Sequence, residues 1–305
     1  LVYLDNAATS LRPQSVIDKW VEMSSWKNAN IHRAVHRLAF EATEEYESSR
    51  DAVKEFLNAE HREEIIFTSG TTASINLLAF CFGETFVEPG DEILIAESEH
   101  HSNIVPWQMM CHRRGARIRT IPVDDSGHLD LQRLRENLTE KTKLTCLAAI
   151  SNVLGLKNPV KEIVKICHSV GCPVFTDGAQ GVVHSVTDVR DTGVDFYAFS
   201  GHKIYAPTGI GALYGKKQYL EEAKPYHGLA MDFAKQEGAQ FIVKGVRTVS
   251  DFEYEQWQAD FNRRLGGVET ILLYTEPELA SISSSALREL QHFGVDISPY
   301  LPKKP

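Results

Sequence analysis

One lysine of this chain stands where a flexible surface cation would be out of place. Lys203 follows the apolar run DFYAF and the triplet SGH, and a predicted glycine-rich strand comes after it. Burial of an amine lowers its pKa and so leaves its lone pair free for nucleophilic attack. Two interpretations are open at this point: an ordinary surface cation, or an amine held for covalent chemistry.

A second candidate is the stretch TSGTTAS, residues 68–74, which follows a predicted strand and opens a predicted helix. The backbone amides at a helix N-terminus bind anions, and the hydroxyls of Thr71 and Thr72 lie beside them. The stretch is therefore suited to a phosphate dianion. The alternative is simple capping of the helix.

Two further polar groups follow apolar runs. His100, in SEHHSN, could stack on an aromatic cofactor, or it could bond to the backbone or to solvent. His101 is expected to point to the opposite face of an extended segment, so the pair predicts no metal site. Asp177 ends the run PVFTD, where a carboxylate needs a partner. The protonated ring nitrogen of a ligand would serve, and a helix N-cap or a surface turn would fit equally well.

Taken together, these residues match one cofactor. Ser200 and His202 stand beside Lys203, and the whole set offers a phosphate cradle, a stacking ring, a partner for a pyridine nitrogen and an amine for a Schiff base. Pyridoxal 5'-phosphate (PLP) needs a lysine and an acidic partner for its ring nitrogen. The combined set therefore predicts a PLP site.

Short apolar runs that alternate with amphipathic stretches from about Glu64 would position these groups. Such alternation predicts an α/β fold whose sheet is mainly parallel and covered on both faces. Ligands bind at the carboxyl ends of the strands in such sheets. The predicted strands are EIIFTS, DEILIAES, ARIRTIPV, LTCLAAISN, PVFTDGAQ and FYAFSGHK. The predicted helices are AFEATEEYESSRDAVKEFLNA, TTASINLLAFCFGE, SNIVPWQMMCHRRG and NPVKEIVKICHSVG.

The pattern changes after Gly215. The polar, proline-containing stretch GKKQYLEEAKPYHG is typical of a domain boundary, so we divide the chain into residues 1–222 and 223–305. Beyond it, AQFIVKG and VETILLYT are predicted strands, and SISSSALRELQHFG begins with serines suited to capping a helix.

The overall composition of the chain argues against several classes of function. The 305 residues carry a net charge of -9, which argues against nucleic acid or a membrane surface as partner. No apolar run approaches the roughly 20 residues of a membrane span. The five cysteines form no CxxC pair, which is typical of reduced thiols and predicts a cytoplasmic protein.

Residues 1 to about 222 closely resemble the PLP-dependent cysteine desulfurases of the sulfur-mobilisation branch, in the class V aminotransferase group. The resemblance runs, in the family's order, through YLDNAATS, NIHRAVHRLA, FTSGTTASIN, ESEHHSNIVPWQ, ISNVLG, TDGAQGVVH and FSGHKIYAPTGIGALYG. It implies a fold type I large domain. It also implies conversion of L-cysteine to alanine with an enzyme-bound persulfide, as a sulfur supply for iron–sulfur clusters.

The resemblance also implies a role for each candidate residue. Lys203 would bind the cofactor covalently and His100 would stack on its ring; these are the two predicted catalytic residues. Asp177 would pair with the pyridine nitrogen. The other cofactor contacts would come from Asn152 at the ring edge, Gln180 at the ring oxygen, and Thr72, Ser200 and His202 around the phosphate, with Thr71 beside them.

The chain departs from this family beyond the lysine. The family's persulfide-forming cysteine and its substrate-binding arginine lie in a C-terminal small domain, whereas the last cysteine here is Cys172. We therefore expect the chain to hold PLP but not to complete persulfide transfer. We also expect low solubility or reliance on a partner chain, with a homodimer if the large-domain interface persists, and a sulfur-acceptor protein as a possible partner.

Residues from about 226 to 305 resemble instead the C-terminal half of phosphopantetheine adenylyltransferase, which implies half of a nucleotidyltransferase Rossmann-like fold. The motifs are YHGLAMDFAKQEGAQFIVKGVRTVSDFEYEQWQADFNRRL, SISSSALREL and DISPYLP. This resemblance implies that Lys244 contacts a pantetheine phosphate. The residues implied around ATP are Arg247, Glu255, Ser283, Ser284 and Ser285.

Three hypotheses follow from the sequence. The leading one is a cysteine desulfurase-like PLP protein with incomplete sulfur chemistry. The second is a nucleotide-binding protein related to the adenylyltransferase, although the HxGH-type motif of that family has no counterpart here. The third is a catalytically inactive chimera. Binding of PLP separates the first from the other two.

Overall fold

A computed structural model of the chain describes residues 2–32, 36–223, 241–246 and 269–274. The chain forms two compact units, Leu1–Tyr226 and His227–Pro305. The functional assignment of the two predicted domains, residues 1–222 and 223–305, stays a prediction.

The first unit contains a seven-stranded sheet. Its strands are β1 (Ile65–Thr68), β2 (Glu92–Ala96), β3 (Arg117–Ile121), β4 (Thr142–Ala148), β5 (Val174–Asp177), β6 (Phe196–Ser200) and β7 (Gly211–Gly215). Their order across the sheet is β1-β7-β6-β5-β4-β2-β3. β7 runs antiparallel to both of its neighbours, and the other pairs are parallel. The prediction of an α/β fold with a mainly parallel sheet is confirmed.

Helices precede, connect and follow these strands. They are α1 (Gln14–Ser25), α2 (Arg37–Leu57), α3 (Thr71–Phe86), α4 (Val105–Arg114), α5 (Leu131–Asn137), α6 (Val160–His168), α7 (Gly181–His184), α8 (Val189–Thr192) and α9 (Lys217–Glu222). Glycine and capping residues set the limits of several helices. The α4 helix stops at Gly115, whose φ of 69° is left-handed, and Asp130 caps the amides that open α5.

Two apolar clusters cover the two faces of the sheet, because successive side chains of a strand point to opposite sides. On one face, Phe175 and Phe196 pack with Trp107 of α4 and with Phe82 of α3. On the other face, Val174 and Tyr197 pack with residues of α2, α5, α6 and α8. Strands β5, β6 and β7 are buried at every residue. Burial on both faces explains why these strands read as continuous apolar runs.

The predicted strands and helices of the first unit are confirmed, and the sequence interpretation missed other elements. Helices α1, α5, α7 and α8 were not predicted. The polar stretch after Gly215, which we interpret as typical of a domain boundary, begins with the six-residue helix α9, in which Tyr219 packs against Phe86 and Phe196. Aromatic packing against the sheet outweighs the polar composition of that stretch. Among the described residues, no helix is long and apolar enough to cross a membrane.

The second unit is described at two strands. β8 (Phe241–Val246) and β9 (Glu269–Tyr274) pair in parallel, so both predicted strands are confirmed. The helix predicted at residues 281–294 lies outside the described residues. The resemblance of this unit to half of an adenylyltransferase stays a prediction.

Candidate active site

A cavity of about 460 Å³ lies where strands β4, β5 and β6 end. The last residues of these strands, Ala148, Asp177 and Ser200, all line it. All nine residues that the sequence predicts as cofactor contacts line this one cavity: Thr71, Thr72, His100, Asn152, Asp177, Gln180, Ser200, His202 and Lys203. The structure thus brings the predicted set together, while the role of each residue toward a cofactor stays a prediction.

Lys203 ends the short 3-10 helix that follows β6. Its side chain is half-buried, and burial lowers the pKa of the amine, an effect that the nearby Asp177 carboxylate opposes. Lys203 is therefore not an ordinary surface cation. The neutral, nucleophilic form of its amine is more accessible than that of an exposed lysine.

Asp177 is 5 % exposed at the end of β5. Its Oδ1 accepts a hydrogen bond from the Ala179 amide at 2.8 Å, so the carboxylate forms a turn as well as lining the cavity. The alternative of a helix N-cap is wrong, because α7 begins at Gly181 without a side-chain cap. Burial raises the pKa of Asp177, while the Ala179 amide and the charge of Lys203 act in the opposite direction.

The start of α3 forms another wall of the cavity. Gly70 precedes the helix with a φ of 145° and provides no side-chain cap, so the capping alternative is wrong. The Thr71 amide donates to Ser200 Oγ at 2.8 Å, which joins this helix to the end of β6. Among the described residues, no group accepts a hydrogen bond from the amides of Thr72 and Ala73. These donors, at a helix N-terminus, are suited to an anion.

The ring of His100 is fixed by its own turn. Its Nδ1 accepts from the Ser102 amide at 3.2 Å and lies 2.7 Å from Ser102 Oγ. Burial lowers the pKa of His100, and the positive charges of His101 and Lys203 add to this effect. The expectation that His100 and His101 point to opposite faces is wrong. Their ring centroids lie 4.0 Å apart, because the segment becomes a 3-10 helix at His101 instead of staying extended.

The N-terminal segment closes one side of the cavity. The Ser10 amide and hydroxyl both donate to the carbonyl oxygen of His202, at 3.0 and 2.9 Å. Thr9 Oγ1 lies 3.2 Å from Nδ1 of His202, and Gln180 Nε2 donates to the Ala7 carbonyl at 3.0 Å. Burial lowers the pKa of His202. The motif YLDNAATS was the available signal for this segment, but no residue in it was predicted to reach the site.

A buried glutamate beside His100 was also missed. Glu99 is 9 % exposed, and both of its carboxyl oxygens accept hydrogen bonds, from Asn103 Nδ2 at 2.6 Å and from the Ala148 amide at 2.7 Å. Burial raises the pKa of Glu99 to about 8, against the lowering effect of these two bonds. In the sequence it resembles any loop glutamate, and nothing local identifies it.

Of the six predicted nucleotide and pantetheine contacts, one lies among the described residues. Lys244 lies in β8. The other five, Arg247, Glu255, Ser283, Ser284 and Ser285, lie outside the described residues, so their roles stay predictions. Within the described part of the chain, no group of three or more potential metal-binding side chains is present.

Comparison with known proteins agrees with this geometry. A cysteine desulfurase of Pectobacterium carotovorum subsp. carotovorum (strain PC1) is 46 % identical over 258 residues, which are 85 % of this chain and 61 % of that protein. The crystal structure of the cysteine desulfurase CsdA (S-sulfonic acid) from Escherichia coli matches with a TM-score of 0.69 and 41 % identity, over 75 % of this chain and 57 % of that one. A structure of SspA in complex with cysteine matches with a TM-score of 0.69 and 27 % identity, over 74 % and 64 %.

The chain thus spans about 61 % of the length of this curated relative. These comparisons favour neither the adenylyltransferase-related hypothesis nor the inactive chimera. The family model described as Aminotransferase class-V matches residues 2–243, which include every residue that lines the cavity. The chain belongs to the class-V aminotransferase family.

Proposed function

We propose that this chain binds PLP in the cavity through Lys203 and acts on L-cysteine as a cysteine desulfurase. One observation carries the proposal: a half-buried lysine and a buried aspartate share a cavity with the open N-terminus of a helix. The cysteine desulfurase relatives and the cysteine complex of SspA support the choice of substrate.

The residues present fit PLP in their chemistry. The amides of Thr72 and Ala73, which have no acceptor within the described part of the chain, would hold the phosphate dianion, together with the Thr72 hydroxyl. The buried carboxylate of Asp177 needs a cationic partner, which a protonated pyridine nitrogen would supply. The lowered pKa of His100 favours the neutral form of its ring, which can lie against an aromatic face.

Residues of this chain would have separate roles in binding the cofactor and in moving a proton. When bound, PLP supplies a carbon that bonds to amines and a ring that takes up the electrons left by removal of an α-proton. Lys203 Nζ, with its lowered pKa, is a nucleophile toward that carbon and a base that can accept a proton from Cα of the substrate. Asp177 would hold a positive charge on the ring nitrogen, and the N-terminal segment, bonded to His202 and Gln180, forms one side of the cavity.

The sulfur acceptor is a separate question, because none of the five cysteines lines the cavity. Cys111, Cys146, Cys167 and Cys172 are buried, and Cys81 is half-buried. We therefore propose that the thiol that takes sulfur from the substrate comes from outside this set, such as a sulfur-acceptor protein. We further propose a homodimer in the cytoplasm, where such thiols stay reduced.

The test is to add PLP to the chain, record its visible spectrum, reduce it with borohydride and map the modified peptide by mass spectrometry. We expect a yellow protein modified at Lys203, and no modification in Lys203→Ala. The exposed Lys157→Ala is the matched control and should behave as wild type. Formation of alanine from L-cysteine with dithiothreitol present then tests the activity. A colourless wild-type chain without a modified lysine would refute the proposal.

A further inference from the structure

Glu99 is a buried carboxyl group that does not line the cavity. Its two oxygens join separate parts of the fold. Oε1 accepts from the amide of Ala148, the last residue of β4, and Oε2 accepts from the side chain of Asn103. Glu99 therefore ties the turn of residues 100–103, which carries His100, to the end of a central strand.

The direction of these hydrogen bonds is fixed by their surroundings. Trp107 Nε1 can only donate, and it donates to Asn103 Oδ1 at 2.9 Å. This contact orients the Asn103 amide so that its Nδ2 points at Glu99. The Ala148 amide can likewise only donate. Each oxygen of Glu99 accepts from one donor, and a carboxyl oxygen can do so whether or not the group carries a proton. An amide side chain offers only one accepting oxygen, so at this position it would set one N–H group against another in a site where Asn103 and Trp107 are 0 % exposed.

The same turn holds the ring of His100. The backbone amide of Asn103 donates to the carbonyl oxygen of His100 at 2.8 Å, and His100 Nδ1 accepts from the backbone amide of Ser102. A chain of contacts thus runs from β4 through Glu99 and Asn103 to the backbone of His100. No atom of Glu99 has to touch a ligand for this chain to act on one.

We propose that Glu99 is a positioning residue that fixes the His100 ring at the cavity by tying the 100–103 turn to the end of β4. The inference rests on the proposed function to the extent that the ligand beside His100 is PLP. It deepens that function, because it assigns the placement of the stacking ring to a side chain outside the cavity.

The first test uses the cofactor-free chain, so that its outcome does not depend on PLP. The ring of His100 is titrated by NMR in wild type, in Glu99→Gln and in the exposed, matched control Glu97→Gln. We expect the His100 pKa of Glu99→Gln to rise toward the ordinary value, since a released ring is less buried. We expect the control to match wild type. A loss of overall stability alone would not move this pKa in molecules that remain folded.

The second test restores the hydrogen bonds with a paired substitution. In Glu99→Gln/Asn103→Asp, the new amide can donate to the new carboxylate, which still accepts from Trp107, while the Ala148 amide keeps an acceptor. We expect the paired variant to return the His100 pKa to that of wild type. With PLP added, we expect Glu99→Gln to bind about two- to tenfold more weakly, the range given by loss of one aromatic contact, and the paired variant to recover.

An unchanged His100 pKa in folded Glu99→Gln overturns the proposal. If Glu99→Gln does not fold, the paired variant decides: a His100 pKa equal to that of wild type supports the proposal, and a different one overturns it. A wild-type chain that binds no PLP would refute the proposed function, while the titration of His100 would still test the role of Glu99.

Discussion

Gly178 follows Asp177 at the end of β5, and the space around it admits no side chain. A β-carbon at this position would come closer than 3.0 Å to Cζ, Cε1 and Oη of Tyr197. The φ of Gly178 is not left-handed, so alanine suits the backbone and the collision alone opposes the substitution. Tyr197 is 3 % exposed and has little room to move away.

The cost of Gly178→Ala follows from two effects. Overpacking of a well-packed core costs about 1–3 kcal/mol. Displacement of the Tyr197 ring also breaks its 3.1 Å contact with Thr187 Oγ1, worth about 1 kcal/mol. We therefore expect the free energy of unfolding to fall by about 2–4 kcal/mol, which corresponds to a drop in Tm of about 5–15 °C. Urea unfolding followed by circular dichroism measures the first quantity, and thermal melting the second.

A mutant cycle with Tyr197 tests the reasoning. Tyr197→Phe keeps Cζ and Cε1, so Gly178→Ala should remain costly in that background. Tyr197→Leu removes all three colliding atoms, so adding Gly178→Ala to it should cost little. Equal costs of Gly178→Ala in the tyrosine and leucine backgrounds would show that the collision does not limit this position.

Three further predictions concern buried groups. Burial raises the pKa of Glu99 from 4.5 to about 8, so the folded chain holds a proton that the unfolded chain lacks between these values. The free energy of unfolding should then decrease as pH rises from about 4.5 to about 8, and urea titrations of Glu99→Gln should show a flatter dependence. The half-buried Cys81 should react with thiol reagents before the buried Cys111, whose pKa burial raises to about 11; labelling with mass spectrometry checks the order. Asp195→Asn should lower the free energy of unfolding by about 1–3 kcal/mol, measured in urea, because it takes the carboxylate partner from Lys216 Nζ at 2.7 Å.

The site residues that could be predicted are those that directly follow a predicted strand in the sequence. Asp177 and Ser200 each come after an apolar run, and the carboxyl ends of parallel strands meet at one edge of a sheet. Lys203 could be placed for the same reason. The apolar run that precedes each of these residues indicates its position in the sheet. The sequence alone therefore predicts that they lie close together.

The unpredicted part depends on contacts between distant segments. Glu99 acquires its role from the Ala148 amide, 49 residues away, and Ser10 acquires its role from His202, 192 residues away. Hydrogen bonds of this kind leave no periodicity or spacing in the sequence. The relative position of the His100 and His101 rings was mispredicted for a local reason, since a single 3-10 turn reverses the alternation expected of an extended chain.

The position of β7 has a consequence for the order of folding. β1 has no neighbour in the sheet until β7 arrives, because Ile65–Thr68 pairs with Gly211–Tyr214 across nearly the whole first unit. Such distant pairing carries a large loop-closure cost and slows folding. The contact of Thr71 with Ser200, 129 residues apart, depends on the same closure. We therefore expect the parallel strands β2 to β6 to assemble early in refolding, and the end of the cavity at the start of α3 to form in the last and slowest step.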